Sequence, residues 1–229
     1  MEEEVPRTLS TLKCMKAERP RYSVTSLLTY EACPWQYFYA FVKRIPPPRT
    51  PAMMRGLDVH RLIARHLAQP SLVLPEAEPR TLELLERFMR SRFNRPPAAV
   101  EKPFALSLGP ADVRGRIDVV LPGQERGLEI VDFKTGATRS RQQLEGHLQL
   151  PVYAIAASAL FDVGPDDLAY TYYFLDSDKE VSFRSSRTEF DRTTERVESV
   201  MRSIQAGRFE PTPNCGCYAC RSERRQRRG

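Results

Sequence analysis

An α/β fold with a mixed central sheet is what this sequence predicts, and three observations predict it. Stretches with helical and strand periodicity follow one another as helices, then a strand-rich centre crossed by a helix, then a last helix. The strand-like segments are joined by short turn-forming runs such as "PGQERG" and "DSD". Of 229 residues, 41% are hydrophobic, enough to bury the core of one fair-sized domain. Residues 23–220 form that domain, residues 1–22 a polar lead-in, and residues 221–229 a basic tail.

The elements follow in order. "SVTSLLTYEACPWQYFYAFVKRI" is helical and aromatic, divided by Pro34, because proline suits a first helical turn and not an interior. Cys33 therefore stands at the mouth of a helix from Pro34 to about Lys43. "PPPRTP" is a linker. "MRGLDVHRLIARHLAQ" places Leu57, His60, Ile63, Ala64 and Leu67 on one stripe. Residues 79–93 form a second amphipathic helix, and 100–108 a strand. "VRGRIDVVLPG" and "GLEIVDFKTG" are a strand pair about a six-residue turn. One helix is predicted from about Arg141 to Leu160. Two strands, "LAYTYYFL" and "KEVSFRSS", precede a helix from about Thr188 to Gln205.

No apolar run approaches the roughly 20 residues of a bilayer span, and "MEEEVPRTLS" has no apolar segment of a secretion signal. A soluble, cytoplasmic protein without a membrane partner is expected. The net charge is +6, of which the tail "RSERRQRRG" carries five Arg and one Glu. Such a tail is either a solvated end or a phosphate-seeking arm. Without a secretion signal, clustered cysteines bind metal more often than they form disulfides, and Cys215, Cys217 and Cys220 fall within six residues.

The chemistry gathers around "EIVDFKTG". Strand alternation sends Ile130, Asp132 and Lys134 one way and Val131 and Phe133 the other. Asp118 ends "GRID", and a hairpin brings its carboxylate towards Asp132. Two such carboxylates repel unless a cation lies between them. A hard divalent ion suits that place, with the Phe133 carbonyl as a further ligand and Lys134 facing a bound water or phosphate. That arrangement fits phosphodiester hydrolysis. His60 is either a satisfied core histidine or a metal ligand. Glu101 is either an edge charge or a support for the site. Gln149 and Tyr153 share one helix face. They form either a polar edge over a packed ring, or a pair that orients water or phosphate and touches nucleic acid.

Taken together, "GLDVH" with His60, "GRID" with Asp118, "VDFKTG" with Asp132 and Lys134, and "QLPVY" with Gln149 and Tyr153 resemble the RecB-type branch of the PD-(D/E)XK nucleases. The resemblance runs from about Ser23 to Cys220 and implies a restriction-endonuclease-like core. It implies Mg²⁺ or Mn²⁺ held by His60, Asp118 and Asp132, with Lys134 catalytic and Gln149 and Tyr153 along the DNA path. It further implies an iron–sulfur cluster of the 4Fe-4S type, as in AddB-type subunits and CRISPR-associated nucleases. Its ligands would be Cys33 from "ACPWQYFY" and Cys215, Cys217 and Cys220 from "CGCYAC", joining the N- and C-terminal segments. Cys14 has no counterpart. The spacing C-x-C-x2-C is tighter than the family's usual one, and zinc is the alternative occupant.

A metal-dependent deoxyribonuclease acting on single-stranded DNA or DNA ends, in repair or recombination, is the expected function. Arg221, Arg224 and Arg225 are candidate DNA contacts. The chain has no G-x-x-x-x-G-K-[ST] phosphate loop, so unwinding would need a partner helicase. A nuclease-like module that only binds DNA ends or a partner, and a CRISPR adaptation nuclease, are the alternatives.

Overall fold

Leu128–Lys134 (β4) lies at the centre of the molecule, and its side chains feed two hydrophobic cores by simple alternation. Ile130 packs in one core, while Val131 and Phe133 pack in the other. A strand buried on both faces needs helices on both sides. The computed structural model, which describes residues 19–70, 76–123 and 127–226, shows that arrangement. Cys14, the centre of the "PGQERG" turn and the side chain of Arg225 lie outside the described residues.

The sheet is mixed. Ala111–Pro122 (β3) runs antiparallel to β4. Leu168–Phe174 (β5) is parallel to β4, and Lys179–Arg184 (β6) is antiparallel to β5. Ala99–Leu108 (β2) covers the other edge of β3. A short strand, Arg21–Ser23 (β1), pairs parallel with Asp112–Arg114 of β3. Three residues carry no periodicity, so β1 was illegible in the sequence.

Helices α1 (Val24–Ala32), α6 (Gln149–Phe161) and α7 (Arg187–Gln205) supply the core on the Ile130 face. Helices α3 (Pro51–Ala68) and α4 (Pro79–Arg90) supply the other. Side-chain caps fix several starts: Ser23, Thr50 and Ser186 each accept a backbone N–H three residues on. Cys33 is the N-cap of α2 (Pro34–Tyr37), with proline at its first position, as the sequence predicts. A π-helical turn, Phe38–Val42, follows.

Two expectations are corrected. The single helix over 141–160 is two: α5 (Arg141–Leu144) and α6. Pro151 has no N–H to donate, and its ring would crowd the carbonyl of His147 in a continuous helix; Gly146 weakens the same stretch. The stripe on α3 is also rotated. Val59, Leu62, Ile63 and Leu67 are buried, whereas Leu57 is 59% exposed on the far side. His60 sits at the margin of the buried face. Among the described residues, no helix is long and apolar enough to cross a membrane.

Candidate active site

The β3–β4 ladder ends at the pair Val119–Val131. One step further, the register sets Asp118 opposite Asp132. On its other edge β3 loses its partner at the same level: Val100 pairs with Val119 and Lys102 with Ile117, but Glu101 does not pair with Asp118. Glu101 adopts a left-handed backbone (φ 50°), rare for a residue with a side chain, and this interrupts the pairing of β2 with β3. Its carboxylate accepts from Arg116 at 2.8 Å. Asp118 thus occupies a gap in the sheet with no ladder neighbour on either side.

His60 arrives from α3. Its Nδ1 lies 3.2 Å from Asp118 Oδ2. Gly56, one turn earlier, permits the approach: a Cβ there would lie 3.1 Å from Thr135 Oγ1 in the loop after β4. Burial opposes charging of the His60 ring. The hydrogen bond and charge of Asp118, then Asp132 and the Phe133 carbonyl, outweigh it and raise the pKa.

Asp132 is buried and pairs with Lys134, Nζ to Oδ2 at 2.6 Å. Gln149, on the first turn of α6, spans the two: its amide nitrogen donates to Asp132 Oδ1 at 3.1 Å, and its carbonyl accepts from Lys134 at 3.0 Å. The helix break before α6 places Gln149 there. Burial, with Asp118 adding repulsion against the pull of Lys134, raises the Asp132 carboxyl to about 6. Tyr153 is 7% exposed, lies edge-on to Phe104 and meets the Gln149 amide at 3.5 Å. It supports Gln149 from beneath. The ring packs in the core on the Ile130 face.

The loop after β4 is anchored by residues that the sequence did not single out. Gly136 adopts φ 117° and donates to Asp176 Oδ2 at 2.5 Å, and Arg80 of α4 holds the other Asp176 oxygen at 2.5 Å. Asp176 reads in the sequence only as part of a turn. The one available signal was Gly56, a glycine inside a helix four residues before the histidine.

Two carboxylates, an imidazole and a carbonyl near that ring make a donor set suited to a hard divalent cation. Asp132 Oδ2 is a buried oxygen that faces the Lys134 ammonium at 2.6 Å and has no other polar partner among the described residues. Such an atom fits a metal ligand. The Asp132 carboxylate is turned to Lys134 and Gln149, and the Asp118 carboxylate to His60, so the set is open and not closed on one point.

The cysteine quartet is closed. The Sγ atoms of Cys33, Cys215, Cys217 and Cys220 all lie within 4.8 Å of one another, none in a disulfide. Cys33 and Cys220 are buried. The quartet ties the start of α2 to α8 (Tyr218–Gln226), joining the N- and C-terminal segments. Thr212 Oγ1 donates to the Ala32 carbonyl at 3.3 Å, and Tyr30 donates to the Arg208 carbonyl at 2.6 Å, closing the same seam. Burial pushes the Cys33 thiol up, but backbone bonds from Thr212 and Gln36 bring it down to about 7. Arg224 donates to the Cys215 carbonyl at 2.9 Å, so it braces this loop; Arg221 is exposed on α8.

Known proteins bear on this arrangement. A relative, the Gene 69 protein of Mycobacterium phage L5, is 35% identical over 141 residues, covering 55% of this chain and 45% of that protein. The chain therefore spans less than half the length of that relative. A crystal structure from Eubacterium rectale, of a protein provisionally described as an exonuclease, aligns with TM-score 0.59 at 14% identity. It covers 96% of this chain and 94% of that one, and this likeness concerns the fold. The mixed sheet between helices is the restriction-endonuclease-like arrangement expected. The profile of the PD-(D/E)XK nuclease superfamily matches residues 21–102 and 69–225, nearly the whole described chain. This chain belongs to the PD-(D/E)XK nuclease superfamily.

Proposed function

We propose that the protein is a metal-dependent DNA nuclease of the RecB type, cutting phosphodiester bonds in single-stranded DNA or at DNA ends. One observation carries the reading: Asp118 and Asp132 face each other where β3 and β4 part, with Lys134 and Gln149 on the same carboxylate.

His60, Asp118, Asp132 and the Phe133 carbonyl would hold Mg²⁺ or Mn²⁺. When bound, such an ion activates water and neutralises charge on the phosphate. The protein supplies the rest. Lys134 carries a fixed positive charge, tethered by Gln149, at the point where a phosphate must enter. It stabilises charge developing on the phosphate oxygens and is already oriented for that task. Asp132 holds Lys134 in place, and Tyr153 holds Gln149. These 229 residues hold no G-x-x-x-x-G-K-[ST] phosphate loop, and a helicase partner is the proposed source of single strands. A module that merely binds DNA ends needs none of this buried charge at the sheet gap, and the arrangement favours the enzyme.

The test is cleavage of labelled single- and double-stranded DNA with Mg²⁺, Mn²⁺ or EDTA. Cleavage with either ion, absent in EDTA and absent in Lys134→Ala, supports the reading. No cleavage of any DNA with either ion overturns it.

A further inference from the structure

We propose that the four cysteines hold a single zinc ion and not an iron–sulfur cube. The inference concerns residues separate from the nuclease site and does not depend on it.

The sulfur separations decide between the two. A zinc ion binds thiolates at about 2.3 Å, which sets tetrahedral sulfurs about 3.8 Å apart. A four-iron cube puts its own irons and sulfides between the thiolates and spreads them to about 6 Å. Cys33 and Cys220 stand 3.7 Å apart, and no pair of the four exceeds 4.8 Å. The quartet encloses room for one ion.

The chain around it is built to keep that spacing. Only Gly216 separates Cys215 from Cys217, and Asn214 takes a left-handed backbone (φ 55°) that turns the chain into the loop. The Cys217 N–H points to Cys215 Sγ at 3.4 Å, and the Cys220 N–H to Cys217 Sγ at 3.5 Å. These bonds stabilise thiolates and fix the sulfurs near one centre. Four thiolates around a doubly charged ion leave net negative charge. Arg224, bonded to the Cys215 carbonyl, and Arg221 one residue past Cys220 offset it. Cys33 and Cys220 are buried against α2 and α8, so expansion to a cube would have to part the seam that Tyr30 and Thr212 close.

The test uses the full chain, produced in cells supplied with both iron and zinc and purified without oxygen. Zinc, iron and acid-labile sulfide are counted, and the absorption between 300 and 500 nm, where iron–sulfur charge transfer falls, is recorded (range on the order of that of known clusters). The expected result is about one zinc per chain, negligible iron and a colourless protein. Cys215→Ser, at the less buried side of the quartet, should keep the fold by circular dichroism yet release zinc to a chromophoric chelator at least ~10-fold faster. A brown protein with about four irons and four sulfides per chain overturns the proposal. So does a folded protein with no metal, or a Cys215→Ser variant that holds zinc as the parent does. None of these readouts involves DNA cleavage, so failure here leaves the nuclease reading to its own assay.

Discussion

Lys134 donates to the side-chain carbonyl of Gln149 at 3.0 Å, and the amide of the same glutamine donates to Asp132 at 3.1 Å. A helix and a strand end are thereby locked together at the Lys134 ammonium. Gln149→Ala leaves Lys134 tethered by Asp132 alone. We expect kcat to fall about 10- to 100-fold with little change in KM for DNA. Gln149→Glu keeps an acceptor for Lys134 but sets a carboxylate against Asp132, and should be no better. Steady-state kinetics on a short labelled strand distinguishes these outcomes.

Removing the charge itself is more severe. Lys134→Ala should lower cleavage by about 10³-fold or more while DNA binding, measured by anisotropy in Ca²⁺, changes less than a few-fold. A variant that cuts at the parent rate sinks the assignment of Lys134.

Asp132 is a functional burden on the metal-free fold. Its carboxyl stands at about 6 when folded against 3.8 as the ordinary value. A raised carboxylate pKa means the folded state holds its proton more tightly. The contribution of Asp132 to stability is therefore greatest below about pH 3.8, falls as pH rises towards 6, and stays lowered above it. The loss is about 2–3 kcal/mol. Asp132→Asn should then raise the melting temperature in EDTA at pH 8 by about 5 °C, while abolishing cleavage. An unchanged or lower melting temperature shows that the Lys134 contact offsets burial.

Gly56→Ala separates helix stability from function. Alanine favours a helix interior by up to about 1 kcal/mol, but the new Cβ meets Thr135 at 3.1 Å. Global stability should hold or rise, whereas the Mg²⁺ concentration for half-maximal activity should increase several-fold, because α3 shifts and carries His60 with it. A metal titration of the rate tests this.

Three residues before Asp132 on β4, Glu129 is a second buried acid, and here the fold provides the partners. Arg92 grips it at 2.8 and 2.9 Å, and Thr171 donates at 2.7 Å. Burial raises the carboxyl, but these groups bring it below its ordinary value. Arg92→Ala leaves Glu129 with Arg95 at 3.4 Å and the Thr171 hydroxyl, and should cost up to about 3 kcal/mol, a fall of up to about 12 °C in melting temperature. The rate per folded molecule at low temperature should hold. Adding Glu129→Gln to that variant should recover part of the loss, read by thermal denaturation.

The sequence by itself determined the parts that obey a period. Alternation along β4 separated Asp132 and Lys134 from Val131 and Phe133, and the structure sends the two sets to opposite faces. Pro34 placed Cys33 at a helix mouth for a local reason that needs no tertiary contact. The tertiary structure alone decided what local rules leave open. Glu101 takes a left-handed backbone opposite Asp118, Leu57 faces solvent while Val59 faces the core, and Asp176 reaches Gly136 across the sheet. Tyr153 shares a helix face with Gln149 in the sequence, but only packing against Phe104 shows it to be core. Periodicity records which side of a strand or helix a residue takes; which neighbour waits there depends on chain segments tens of residues away, brought in by burial and by the need to pair each buried charge.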